Sequence, residues 1–313
     1  MADMTITPVP APPRRRGRTS PRPARTRNTR YVFLVPAAIF FALFSIYPLY
    51  TLVSMSLSDV TSATLNTDWV FSGLDNFRAG FESGETTGAL LRTLVFVLFV
   101  TVVGMVGGLA AAIALRTTGW WSAAVLAVMV FVWALPPVVN GSVWKFLLAD
   151  AGLLNMLARW LGLTDTALPF LYDPQWALWA VAFVNSWAVI PFNALVFRAA
   201  LLNISPEVFE AAALDGANKW QEIRHIMIPA ARPTAMVLLV LTIVFGFRSF
   251  DYIYVMTYGG PGSATTTLPF LGYLQAFGRY DFGLGSATSV ITVLLVVVLA
   301  LVYVRSIRRE ESE

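Results

Sequence analysis

"YVFLVPAAIFFALFSIYPLYTLVSMS", residues 31–56, runs without one charged side chain. A bilayer core about 30 Å thick is crossed by about 20 apolar residues in a helix, so this stretch is long enough to span it. It is too long for the apolar region of a secretory signal, and so is the basic region before it. The chain as a whole agrees. Of its 313 residues, 57% are hydrophobic and 13% charged, too few charges for a soluble domain.

Five further stretches satisfy the same test: roughly 93–115, 122–145, 176–200, 234–256 and 285–304. The expected fold is an all-α integral membrane bundle of six helices. Lys and Arg collect on the cytoplasmic side of such bundles. Residues 1–30 hold Arg14, Arg15, Arg16, Arg18, Arg22, Arg25, Arg27 and Arg30 against Asp3 alone. Six spans return Arg305, Arg308 and Arg309 to the side of that tail. Loop 57–92, with Asp59, Asp68, Asp75, Glu82 and Glu85 against Arg78 and Arg92, then lies outside, as do loops 146–175 and 257–284. Loops 116–121 and 201–233 lie inside. The tail 1–30, rich in Pro as well as Arg, is expected to be disordered and cytoplasmic, and to bind no nucleic acid. Residues 310–313 form a second, short cytoplasmic tail.

Several chemistries are excluded by composition. The chain has no Cys and one His, His225, so disulfides, thiolate metal sites and a Ser–His arrangement are not expected, nor a catalytic role. A phosphate-cradling loop needs Gly-Lys-Ser/Thr. The two Lys, Lys145 and Lys219, follow Trp144 and Asn218. ATP is therefore handled by another chain, if at all. The alternative, a self-contained ion-coupled carrier or channel, would place carboxylates in its spans. Asp251 is the one candidate, and Arg248, three residues away on one helical face, is expected to neutralise it.

The cytoplasmic loop interrupts all this apolar sequence with "EAAALDGANKW", residues 210–220. Ser205 is placed to cap a helix opening with Pro206 and Glu207. Val208, Ala211, Ala212 and Asp215 give that helix a weakly apolar face, and Gly216 is a natural stop. A second short helix, "NKWQEIRHIMI", is expected to end at Pro229. Taken alone, the geometry describes a connector whose small residues permit close approach by another protein.

The longer run "EAAALDGANKWQEIRHIMIPAARP", residues 210–233, resembles the cytoplasmic EAA loop of bacterial binding-protein-dependent importer permeases. Glu210, Ala211, Ala212, Asp215, Gly216, Ala217, Ile226, Pro229 and Pro233 stand in register with that pattern. Ile223 departs from it, since an aromatic is usual there. "FSGLDNF" (71–77), "VWKFLLADAGLLNMLARWLGL" (143–163), "NSWAVIPF" (185–192) and "YVMTYGGPGSATTTLPFLGYLQAF" (254–277) resemble the maltose- and glycerol-phosphate-type branch. The resemblance spans about residues 31–309 and implies one permease domain with its coupling loop at 203–233. It implies a type I importer-like permease in the bacterial cytoplasmic (inner) membrane. The implied partners are a second homologous permease, two copies of a cytoplasmic ATPase that bind ATP and Mg, an extracytoplasmic solute-binding protein, a sugar-like substrate and membrane lipid. In that family the EAA loop is a coupling helix seated in a cleft of the ATPase. Glu210, Ala211, Ala212, Asp215, Gly216, Ala217 and Pro229 take that role by resemblance. By the same resemblance the solute path falls at Asn185, Val189, Phe192, Thr242, Gly246 and Ser249. Gly246 and Ser249 stand where the maltose type tends to have Asn.

The orientation is directly testable. Reporter fusions after residues 80, 165 and 270 should read external, and after 118, 215 and 310 internal; one reversed loop contradicts the topology.

Overall fold

The computed structural model describes residues 33–117 and 119–310. The expected disordered tail, 1–30, and residues 311–313 lie outside the described residues. The chain divides into two units, Met1–Pro48 and Leu49–Glu313. In the first, α1 (Val35–Phe41) runs into a π-turn, Ala42–Ile46. Pro48 has no N–H to offer the Phe44 carbonyl, and the Tyr47 N–H reaches back to Ala42 instead, which widens the turn. Helix α2 (Tyr47–Ser56) carries the chain into the second unit.

There, β1 (Ser58–Asp59) pairs antiparallel with β2 (Val70–Phe71), and α3 (Asp75–Glu82) follows. The Asn76 side-chain amide donates to the carbonyls of Ser56 and Ser58 at 3.0 and 2.9 Å, which fixes the chain as it leaves α2.

Helices α4 (Glu85–Ala114) and α8 (Ala177–Leu202) lie against each other at the centre of this unit. Gly104, Gly108 and Ala112 sit four residues apart on one buried face of α4. A Cβ at Gly108 would stand 2.5 Å from the Asn193 Cβ and 3.2 Å from the Ala194 nitrogen. Small residues at this spacing let two helix backbones approach closely, which is how helices associate where lipid supplies no hydrophobic drive.

Between α4 and α8 come α5 (Trp120–Ala134), α6 (Pro137–Leu147) and α7 (Leu153–Trp160). The expected single span over 122–145 is broken: α5 and α6 meet at 104°. Prolines 136 and 137 dictate the break. Each forces its predecessor out of helical conformation, and Leu135 and Pro136 sit at ψ 134° and 136°. Among the described residues five helices are long and apolar enough to cross a membrane, and six if the bent pair is counted as one span.

After α8, α9 (Pro206–Leu214) and α10 (Lys219–Glu222) form the expected pair of short helices. The second does not end at Pro229. It passes through a π-turn, Ile223–Met227, into α11 (Ile228–Phe247) and accommodates Pro229 as the π-turn before Pro48 accommodates that proline. Pro233 lies inside α11. A break at Arg248–Phe250 separates α11 from α12 (Asp251–Met256), so the expected span 234–256 is also interrupted.

Helix α13 (Leu268–Tyr273) and α14 (Phe282–Glu310) complete the chain. Loop 257–281 is tied down by named contacts. The Thr93 hydroxyl oxygen accepts from the Leu268 N–H at 2.8 Å, and Arg92 Nε donates to the Thr266 carbonyl at 2.9 Å. Arg279 forks onto both oxygens of Glu85 at 2.7 and 2.8 Å. That carboxylate, by hydrogen bond and charge, holds the Arg279 guanidinium above its usual pKa.

Candidate functional site

Two places gather the polar chemistry of the bundle. The first is a cavity of about 300 Å³ bounded by α5, α6, α8 and the α11–α12 break. Helix α8 contributes Asn185, Val189 and Phe192; the break contributes Arg248, Ser249 and Asp251. Trp133, near the end of α5, stacks on Phe192 with centroids 5.7 Å apart, and Phe245 meets Phe192 edge-on at 5.9 Å. Asn185 donates to the Ser249 hydroxyl at 2.5 Å. Tyr252 also borders the cavity, its hydroxyl accepting from Asn140 at 3.3 Å. The site therefore offers aromatic faces together with hydrogen-bonding groups of both kinds.

Four of the six residues expected on a solute path, Asn185, Val189, Phe192 and Ser249, line this cavity. Thr242 and Gly246 do not. Thr242 is fully buried and hydrogen-bonds reciprocally with the Asn193 amide at 3.1 and 3.3 Å. Gly246 faces α4, where a Cβ would lie 3.3 Å from Val97. Both join helices and are set back from the opening. The expected Arg248–Asp251 pair is likewise absent: neither side chain has an ion-pair partner among the described residues. Arg248 is the C-cap of α11 and Asp251 opens α12, so the spacing that would align them on one continuous helix does not apply. Sequence reasoning missed Trp133 and Phe245 as wall residues, because an aromatic in an apolar helix reads as lipid-facing or core.

The second place is loop 203–233, where the sequence leads one to expect a coupling role. Helix α9 begins with Pro206 after Ser205, whose side chain makes no capping bond. Its end is better determined. The Ala217 N–H reaches the Ala212 carbonyl at 2.9 Å and the Gly216 N–H reaches Ala213 at 3.1 Å. These two bonds form a Schellman cap, and the cap requires a left-handed residue at Gly216, whose φ is +79°. Asp215, Gly216 and Ala217 are thus cap, turn and closing residue of one motif. Nothing lies within 4 Å of a Cβ at Gly216, so a side chain there strains the backbone and clashes with nothing in this chain.

Two residues on, Asn218 and Gln221 form a capping box that starts α10, with bonds of 2.9 and 2.7 Å. The Asn-x-x-Gln spacing in the sequence is the signal of this box. Lys219 pairs with Glu222 at 2.8 Å, a carboxylate only 4% exposed. At the other face, the Arg116 guanidinium sits 3.6 Å over the Phe209 ring and ties α9 to the end of α4. Glu210, Ala211 and Asp215 are exposed, and Ala212 and Ala217 half-buried. Pro229 is exposed just beyond the π-turn. The Glu210 carboxylate has no ion-pair partner among the described residues. Leu214, one turn after Glu210 on α9, is 90% exposed, and Trp220 on α10 is 67% exposed.

A family model for the binding-protein-dependent transport system inner membrane component matches residues 104–311. A sulfoquinovosyl glycerol transport system permease of Agrobacterium fabrum is 31% identical to this chain over 90% of each. A trehalose/maltose transport system permease of Thermococcus litoralis is 28% identical over 92% of this chain and 96% of its own. Among solved structures, a chain of a bacterial ABC transporter importing the acidic polysaccharide alginate superposes with a TM-score of 0.76. At 24% identity, over 90% of this chain and 95% of that one, it shares the fold.

Thr242 distinguishes helix-joining from lining. Thr242→Val leaves the Asn193 amide without its partner and should cost about 0.6–1.7 kcal/mol, the range for hydrogen bonds between membrane helices. Thermal unfolding of the purified protein should show a lowered midpoint. An unchanged midpoint contradicts the joining role.

Proposed function

The chain belongs to the family of binding-protein-dependent transport system inner membrane components, and from that premise we propose that it imports a sugar or related polyhydroxy solute. It is a permease subunit of an ABC importer, multi-pass in the membrane and not an enzyme. The self-contained carrier weighed from the sequence is set aside by this membership. Sugars enter the proposal through the permeases named above, and the chemistry of the cavity supports it. Aromatic rings pack on the C–H faces of a pyranose, while Asn185, Ser249, Arg248 and Asp251 meet its hydroxyls.

The remaining assembly is proposed on the same basis: a second similar permease, two ATPase subunits that bind ATP and Mg, and a binding protein outside. Both termini are cytoplasmic in this reading, as the arginine distribution requires. One observation carries the coupling role. Helix α9 is closed by its own cap and presents Glu210 and Leu214 to solvent without an intrachain partner. A connector has no need of a rigid, self-capped helix with exposed apolar and acidic side chains. A docking plug needs both.

Two substitutions test it. Gly216→Val puts a β-branched residue in left-handed conformation, at about 1–2 kcal/mol or more. Glu210→Ala removes one half of a charge-assisted contact worth about 2–5 kcal/mol when partly buried, which is more than tenfold in affinity. Both variants should insert and accumulate normally while transport falls severely and less ATPase co-purifies. A double variant with wild-type uptake and ATPase recovery would rule the docking role out.

A further inference from the structure

A permease similar to this chain is named for trehalose and maltose, and a chain of like fold belongs to a transporter that imports the acidic polysaccharide alginate. We propose that this cavity selects an uncharged polyhydroxy solute, with Arg248 and Asp251 as a specificity pair that grips hydroxyls and cancels the attraction either would exert on an ion. The inference rests on the reading of the cavity as part of the solute path.

Three observations lead to it. Arg248 and Asp251 both line the cavity, and neither is paired, with the other or with any described residue. Arg248 stands at the C-terminal end of α11, where the helix favours a cation, so its charge is held in place without a carboxylate partner. A monoanionic solute drawn to Arg248 would therefore also meet Asp251, and a cation drawn to Asp251 would meet Arg248. At separations of one sugar ring these opposite terms are of similar size.

The second observation is an orphan. Asn185 is only 5% exposed and its amide nitrogen is spent on Ser249, yet its Oδ1 has no hydrogen-bond partner. A buried acceptor of this kind is satisfied by a donor from a ligand or bound water. Asn185 Oδ1 and the Asp251 carboxylate are both acceptors, and a hydroxyl donates to either. A carboxylate, sulfonate or phosphate, ionised at neutral pH, presents lone pairs to both and is repelled. Arg248 is the matching donor, so vicinal hydroxyls, each both donor and acceptor, fit this mixture. Third, the ring cluster of Trp133, Phe192 and Phe245 in the lining is apolar and receives the C–H face of a sugar ring, whereas an ionic group against it would be left unsolvated.

The test uses the assembled complex in lipid nanodiscs. Methyl glucoside and methyl glucuronoside serve as probes, since they differ only in a hydroxymethyl against a carboxylate. Binding is read from the fluorescence of Trp133, isolated by subtracting a Trp133→Phe complex. The glucoside should bind about tenfold more tightly or better, a difference of about 1.4 kcal/mol. Asp251→Asn should raise affinity for the glucuronoside by about tenfold and erase the preference, while Arg248→Gln should widen it. A wild-type preference for the glucuronoside, no Trp133 response to either solute, or an unchanged preference in both variants overturns the inference. The wild-type comparison decides alone if a variant fails to assemble. Stimulation of ATP hydrolysis by the loaded binding protein is measured in the same complexes. Stimulation kept with the wrong selectivity overturns this inference alone; its absence in wild type overturns the permease reading, and this inference with it.

Discussion

Hydrocarbon offers a backbone carbonyl no hydrogen-bond partner, so a helix that crosses it can be interrupted only where protein or a water-filled cavity takes over. This chain breaks its helices at two points in apolar sequence, Leu135–Pro136 and Arg248–Phe250. Both breaks border one cavity: Leu135 and Pro137 line it on one side, Arg248 and Ser249 on another. The interruptions are thereby explained together. Prolines set the first break, and the second brings a cation, a hydroxyl and a carboxylate to the same opening. Helix α8 lines the same opening without a break, and glycines on α4 permit α4 to pack closely against it from behind.

The same logic links the cavity to the coupling loop. From Lys219 the chain is helical through a π-turn to Phe247. At about 1.5 Å per residue this run is about 40 Å long, enough to reach across most of a bilayer. One end follows the Gly216 turn, and the other ends at Arg248 beside the cavity. A load applied at α9 and α10 thus has a stiff path to the cavity wall. The Arg116–Phe209 contact gives α9 a second attachment, to the end of α4, which packs on α8. Both routes converge on elements that line or support the cavity.

Much of this was legible in the sequence, for physical reasons. Long uncharged runs give spans because each buried charge is costly in lipid, and the arginine asymmetry gave their expected direction. The Glu-Ala-Ala and Asp-Gly-Ala pattern marked α9 and its stop, since a left-handed cap nearly demands glycine. What escaped was local. The pattern of apolar residues over 122–145 is the same whether the span is straight or bent, and only the Pro136–Pro137 pair signals the break. Pro229 was read as a terminus because a π-turn that absorbs a proline leaves no simple compositional trace. Arg248 and Asp251 looked paired because spacing assumes a continuous helix, and the chain between them is not one. Thr242 and Gly246 carried the right residue types for a path, but their direction depends on how α11 is rotated against α4 and α8.

In the proposed function, the outward face of α9 docks into a separate ATPase. The chain contains no cysteine, so Leu214→Cys places a single thiol at a position of that face that is 90% exposed. Maleimide labelling of this variant, as the isolated chain and as the assembled complex, reads the seat directly. The account predicts rapid labelling of the chain alone and strong protection once the ATPase is bound. Equal labelling in both states would contradict it.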